Sequence, residues 1–180
     1  NEIEWLAGMG TLLVGTAGAE WSVGSDSPQK PITPTGFRPV QQSNYGSLAI
    51  PAVRVGGVVL FVDRVGRRVR EMAYIYSEDK YEAPDMTDRA EHIAVSGIVN
   101  IGWQQNPDQI LWCVLANGGL ISLTYDRAND VIAWSRHPMA GEVQSVAVIP
   151  GSTEDEVWLS VKRVIQGQEV IYIEQFAPRD

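Results

Sequence analysis

A strand, turn, strand pattern occurs four times along the 180-residue chain at nearly even intervals. In each copy an apolar strand leads into a glycine-containing turn and then into a second apolar strand. The copies lie at residues 11–23, 59–76, 110–125 and 157–176. Their marker residues Leu13, Leu60, Leu111 and Trp158 are 47, 51 and 47 residues apart. A period of about 40 to 50 residues made of strands is typical of β-propeller blades.

The repeat predicts an all-β fold, a β-propeller-like array of about four antiparallel blades. We expect a single domain over residues 1–180 with blades at 3–47, 48–80, 98–137 and 141–176, the outer two incomplete. The sequence begins with asparagine, and its last copy ends near the C-terminus. A closed propeller needs about four complete blades, so we expect a fragment or processed piece of a longer protein.

The third copy shows the blade pattern most clearly. Both faces of residues 110–115 are apolar, which is typical of a strand covered on both sides. Residues 117–119, Asn-Gly-Gly, tolerate positive φ and allow a tight reversal into residues 120–125. Further strands are predicted at 99–103 and 131–134, which gives one four-stranded antiparallel blade.

Two segments break the pattern. Residues 25–47 contain Pro28, Pro31, Pro34 and Pro39, so we expect extended chain over the surface, or an edge strand at most. Residues 81–97 form an insertion between the second and third copies. Within it, residues 81–93 are predicted to form a short helix that starts at Pro84 and Asp85. One face of that helix would carry Met86, Ala90 and Ile93.

The charge of the chain argues against nucleic-acid binding. The formal net charge is −8, whereas proteins that grip a phosphate backbone present clustered lysine and arginine. One local exception is predicted at the tip of the second hairpin, where four arginines are candidates for contact with an acidic partner. They are Arg64, Arg67, Arg68 and Arg70. The alternative is ordinary solvated charge at a hairpin tip.

Motifs for catalysis are scarce. The chain has no phosphate-binding glycine loop ending in Lys-Ser or Lys-Thr, no Gly-x-Ser-x-Gly elbow and no Cys-x-x-Cys pair. His92 and His137 lie in different elements, which makes a zinc site unfavourable, and Cys113 lies in an apolar run. Asp126, with Asn129 and Asp130, is expected to form a hairpin turn rather than a calcium loop. We assign no catalytic, cofactor-binding or metal-binding residue and expect no enzyme.

The six tryptophans lie mostly on predicted strands, so we expect burial between blades rather than sugar stacking. They are Trp5, Trp21, Trp103, Trp112, Trp134 and Trp158. No stretch approaches the roughly 18 consecutive apolar residues of a membrane helix, so no membrane span is predicted.

Eight short segments form a specific combination. They are YEAPDMT (81–87), AEHI (90–93), Ile98, WQQNP (103–107), LTYDR (123–127), VIAWSRH (131–137), VQSVAVIPG (143–151) and DEVWL (155–159). Together they resemble the tail nozzle proteins of short-tailed phages and prophages, also called tail tubular or head-tail stabilisation proteins. The resemblance covers most of the chain from about Trp5 onward.

The resemblance implies a β-propeller-containing virion protein, made in the bacterial host cytoplasm. Its partners would be other phage tail proteins and copies of itself, assembled as a ring at the end of the tail tube. DNA would pass through that ring without specific binding, and an acidic lining would repel its phosphates. The family implies no cofactor and no catalytic residue.

Two other functions stay open. One is a β-propeller module that binds carbohydrate or protein on a cell or particle surface. The other is a hydrolase using a pair of carboxylates, because 22 acidic residues allow many pairs in space. Neighbouring genes for portal and tail proteins would favour the tail function, glycan binding the second and glycoside turnover the third.

Overall fold

The computed structural model describes residues 2–25, 27 and 30–177, and in them the chain is all-β. Within the described residues, fifteen strands form four antiparallel sheets. The chain separates into two compact units, one ending at Arg89 and one starting at Ala90. In every sheet the strands lie side by side in sequence order, so each ladder joins neighbours along the chain.

The first unit contains two four-stranded sheets. The first sheet has β1 (Ile3–Gly8), β2 (Leu12–Thr16), β3 (Glu20–Ser25) and β4 (Phe37–Ser43). The second sheet has β5 (Val53–Val55), β6 (Val58–Val62), β7 (Val69–Ile75) and β8 (Lys80–Glu82).

The two sheets of the first unit pack through one apolar cluster. Trp5 and Leu13 of the first sheet meet Phe61 and Met72 of the second, and all four are buried. The Trp5 and Phe61 rings have centroids 5.3 Å apart. Gly15 makes the contact close, because a Cβ on it would lie 2.1 Å from Cε2 of Trp5. The absence of a side chain there lets the indole lie directly on the strand.

The second unit contains the other two sheets. The third sheet has β9 (Ile98–Gln104), β10 (Ile110–Leu115), β11 (Leu120–Asp126) and β12 (Val131–His137). The fourth sheet has β13 (Glu142–Ile149), β14 (Glu156–Ile165) and β15 (Gln168–Gln175). Their shared core includes Trp112 and Val114 from β10 and Val157, Leu159 and Val161 from β14.

The predicted period corresponds to the sheets. Leu13, Leu60, Leu111 and Trp158 lie on β2, β6, β10 and β14, the second strand of each sheet. The prediction of incomplete outer blades is wrong for the first copy, whose sheet has four strands. Its fourth strand, β4, comes from the proline-rich segment and is an edge strand, where the missing N–H of Pro39 is tolerated. Pro28 lies outside the described residues.

The predicted helix at residues 81–93 is wrong in type and extent. Its first residues belong to β8, and the chain then continues alongside β7. Glu71 N donates to Pro84 O at 3.1 Å, and Met86 N donates to Val69 O at 2.8 Å. These backbone bonds hold the segment extended. Helical turns follow only as a short 3₁₀ segment at Asp88–Ile93, interrupted at Ala90, whose φ is −140°.

The apolar residues assigned to that helix are nevertheless buried. Met86, Ala90 and Ile93 have side chains at most 9% exposed. A second 3₁₀ segment, Tyr76–Glu78, precedes β8. No helix among the described residues has the length and apolar character needed to cross a bilayer.

Candidate functional site

The turn between β6 and β7 is fixed by one buried carboxylate. The Oδ1 atom of Asp63 accepts bonds from the backbone N–H groups of Arg67 and Arg68 at 3.2 and 3.3 Å. Asp63 N donates to Arg68 O at 3.0 Å, and Gly66 has a φ of 77°, which glycine adopts without strain. The backbone of this tip is therefore held in one conformation by its own sequence.

Two arginines and one valine project from the tip. Arg64 and Arg67 are exposed, and Val65 between them is 62% exposed. In the part of the chain that the structure describes, neither guanidinium forms an ion pair. We call residues 64–67 the arginine tip. It combines two solvated cations with an exposed apolar side chain on a fixed turn.

The other two predicted arginines have different surroundings. Arg68 forms an ion pair with Asp85 at 3.1 Å. Arg70 lies within β7 and not at the tip, and it is 7% exposed. Its Nη1 donates to Ala83 O at 2.7 Å, and its guanidinium carbon lies 3.4 Å from the centroid of the Tyr45 ring. Arg70 is therefore built into the first unit and is not exposed at the tip.

A cavity of about 370 Å³ lies in the second unit, a size within the range of small-ligand pockets. Three rings line it, those of Trp112, His137 and Phe176. The Trp112 ring centroid is 4.9 Å from that of His137 and 4.9 Å from that of Phe176, with which it is stacked. These rings come from β10, the end of β12 and the residue after β15.

Hydrogen bonds hold two of those rings in place. Trp112 Nε1 donates to Gln104 Oε1 at 3.0 Å. His137 Nε2 lies 2.8 Å from Ser122 Oγ, and Ser122 is buried. Burial lowers the pKa of His137 from its ordinary value of 6.5, because desolvation disfavours the charged ring. The imidazole is therefore neutral at physiological pH and adds no positive charge to the cavity.

Four carboxylate residues also line the cavity. Its lining includes Asp108, Glu154, Asp155 and Glu156, and no lysine or arginine belongs to the lining residues that the structure describes. Asp155 Oδ2 accepts bonds from the backbone N–H groups of Gln105 and Asn106 at 2.7 and 2.9 Å, which joins the β9–β10 and β13–β14 loops. The lining thus combines aromatic rings with carboxylates.

The remaining candidate residues have structural surroundings. Cys113 is fully buried, and desolvation raises the pKa of its thiol. Asp126 is the acceptor in a hairpin turn, bonding Ala128 N and Asn129 N at 3.1 and 3.2 Å. Its bond from the Asn129 side chain is the main reason that the pKa of Asp126 is lowered. Among the described residues no group of three or more metal-ligating side chains occurs.

The tryptophans are buried to different degrees. Trp5 and Trp112 are 4% and 7% exposed, whereas the other four are partly buried. Sequence reasoning missed the cavity because its rings come from strands far apart in the chain. No short motif joins Gln104, His137 and Phe176. They meet through strand pairing within the third sheet and through its packing against the fourth.

Comparison with known proteins gives matches among solved structures only. No protein-family model matches the chain, and no curated protein matches it. Solved structures that match include a luciferin-regenerating enzyme, with 17% sequence identity and a TM-score of 0.48. That match covers 84% of this chain, and this chain spans 50% of the matched one.

Proposed function

We propose that the chain is a non-catalytic structural component of a phage or prophage tail, part of a tail nozzle through which DNA leaves the virion. The observation that carries the proposal is the arginine tip. Because Asp63 already fixes the backbone of the turn, that backbone loses little conformational freedom on binding. Arg64, Val65 and Arg67 therefore project from a preorganised backbone. The motifs that resemble tail nozzle proteins supply the class of partner.

The charge balance supports the same role. The chain has a net charge of −8, and the arginine tip places two cations close together on this acidic protein. A ring of such chains would repel phosphate and let DNA slide through, while the arginine tip contacts an acidic surface of a neighbouring tail protein.

The test uses charge reversal at the tip. Arg64→Glu combined with Arg67→Glu is compared with Arg38→Glu combined with Arg89→Glu, two exposed arginines elsewhere in the first unit. Each chain is co-expressed with the products of its neighbouring genes, which the proposal predicts to be tail proteins, and assembly is scored by co-purification and negative-stain microscopy. We expect assembly to fail only for the tip variant. Normal assembly of the tip variant, or no assembly of the unaltered chain, would contradict the proposal.

A second candidate function, carbohydrate binding, is favoured by the cavity. Aromatic rings stack on sugar faces, and the carboxylates that line the cavity offer partners for hydroxyl groups. A glycan array probed with the unaltered chain and with Phe176→Ala tests this. Binding that disappears in the variant supports carbohydrate recognition, and the absence of any bound glycan excludes it for the sugars on the array.

A further inference from the structure

Among the residues that the structure describes, the third strand of the fourth sheet has no strand on its outer edge. In the other three sheets the third strand, β3, β7 or β11, pairs on its outer edge with a fourth strand. In the fourth sheet β15 occupies the third position, and among the described residues no strand pairs with its outer edge. An edge of this kind leaves a row of N–H and C=O groups without ladder partners.

The uncovered edge is long and apolar. β15 has eight residues and reads QEVIYIEQ, with no proline, lysine or arginine. Ile171 and Ile173 are 64% and 68% exposed, and Tyr172 is 42% exposed. Proteins normally protect an edge strand with proline, lysine, a bulge or short length, and β15 has none of these.

The hairpin geometry identifies which backbone groups point outward. β14 and β15 are joined by Gln166 and Gly167, which have φ values of 51° and 80°, a two-residue turn flanked by a hydrogen-bonded pair. Hydrogen-bonded and non-hydrogen-bonded pairs alternate in an antiparallel ladder. The bond from Phe176 N to Val157 O at 2.9 Å has the same phase. Hence Ile171 and Ile173 direct their N–H and C=O groups to the open edge.

We propose that β15 pairs antiparallel with β15 of a second copy of this chain, about a two-fold axis at Tyr172. This register places Ile171 opposite Ile173 of the second copy as a hydrogen-bonded pair. Glu169 then lies opposite a glutamine, and Tyr172 opposite its own equivalent. The contact is isologous and closed, and it joins two three-stranded sheets into one of six strands.

The charges of β15 permit this register. No two like charges lie directly opposite each other, because Glu174 faces Val170 of the second copy. Glu174 is also neutralised within its own chain, since Arg163 Nε and Nη2 donate to its carboxylate at 2.6 and 2.8 Å. The four isoleucines of the two paired β15 strands lie together on one face. Pairing removes part of their apolar surface from water, which favours association. The strand is thus complementary to itself, which is why we assign a second copy as the occupant.

Disulfide trapping tests the register on the 180-residue chain. In Tyr172→Cys the two cysteines form a non-hydrogen-bonded pair with Cα atoms about 4.5 Å apart, within reach of a disulfide. In the matched control Ile171→Cys, the equivalent Cα atoms are offset by two residues along each strand and lie more than about 7 Å apart, beyond that reach. Cys113 is fully buried and does not compete. We expect a covalent dimer from Tyr172→Cys alone.

Sedimentation equilibrium tests the association itself. Ile171→Pro removes an outward N–H and leaves the β14 ladder intact, so a dimer should become a monomer with an unchanged circular dichroism spectrum. Ile171→Lys with Ile173→Lys should act likewise, which covers any folding defect of the proline variant. Val164→Lys is the control, because Val164 is 68% exposed on the same face of the sheet but lies on β14. It should leave the dimer unchanged.

Three results would overturn the inference: an unaltered chain that stays monomeric at tens of micromolar, equal cross-linking of both cysteine variants, or dissociation caused by Val164→Lys. The inference rests on the proposed assembly function for its biological role, but the two fail separately. A chain that pairs through β15 and yet never joins tail proteins contradicts only the tail proposal. A monomer that still co-assembles through its arginine tip contradicts only the pairing.

Discussion

The guanidinium carbon of Arg70 lies 3.4 Å from the centroid of the Tyr45 ring, and Arg70 is only 7% exposed. The same guanidinium donates to the carbonyl of Ala83. A buried cation held by a ring face and a charge-assisted bond contributes to stability, in contrast to the solvated arginines nearby.

Replacing this arginine should destabilise the first unit. We expect Arg70→Ala to lower the free energy of unfolding by about 2–4 kcal/mol, through loss of the ring contact and of the bond to Ala83. Arg70→Lys should recover only part of the lost free energy of unfolding, because an ammonium group lacks the planar, forked set of donors of a guanidinium group. Urea denaturation measures both. Arg67→Ala is the control and should change stability by less than about 0.5 kcal/mol; equal losses at the two positions would contradict the assignment.

Gly15 should tolerate no side chain. A Cβ there would lie 2.1 Å from the indole of Trp5, which is 4% exposed and has little space to move. We expect Gly15→Ala to cost about 1–3 kcal/mol of stability through overpacking. Gly8→Ala is the matched control, since a Cβ at Gly8 meets nothing within 4 Å on the same sheet. Thermal denaturation of the two variants measures the difference in their stability. If Gly15→Ala does not lower stability, Trp5 is loosely packed.

His137 should make the second unit less stable in mild acid. Its pKa is lowered in the folded state by burial, so below about pH 6.5 the unfolded state binds the proton first. The contribution of the neutral His137 ring to stability is therefore complete above pH 6.5. It is lost as the pH falls from there toward the lowered pKa of the folded state. Urea denaturation at pH 7.5 and 5.5 should show a smaller loss for His137→Gln than for the unaltered chain. His92→Gln, at an exposed position, should keep the full loss.

The chain should not bind DNA at physiological ionic strength. With a net charge of −8 it would repel the phosphate backbone, and only Arg64 and Arg67 present free cations at the tip. Fluorescence anisotropy of a labelled duplex should show no binding at about 100 μM protein in 150 mM salt. Measurable binding that weakens as salt is raised would contradict an acidic, non-adhesive channel.

Most strands could be predicted because their signals are local. Alternating apolar residues and turn residues such as Gly118 and Gly167, both with φ near +80°, lie within each hairpin. The wrong predictions concern segments whose structure is determined by pairing with strands of this chain outside the segment itself. β4 forms because β3 offers a free edge to a proline-rich segment, and residues 83–86 stay extended because they pair with β7.

The candidate sites were predictable to a smaller degree. The exposure of the tip arginines is predictable from the turn in the local sequence. The burial of Arg70 depends on Tyr45 and Ala83, which the local sequence does not indicate. The cavity depends on residues from five strands of two sheets. A site whose residues come from distant strands can be predicted only after the pairing and packing of those strands are known.

Each of the four sheets is assembled from strands that follow one another directly in the sequence. Duplication of one such segment in a gene would add a whole sheet, and its deletion would remove one, without rethreading the others. The fold can therefore lengthen or shorten in evolution by steps of roughly 50 residues, with new positions at the junctions free to diverge.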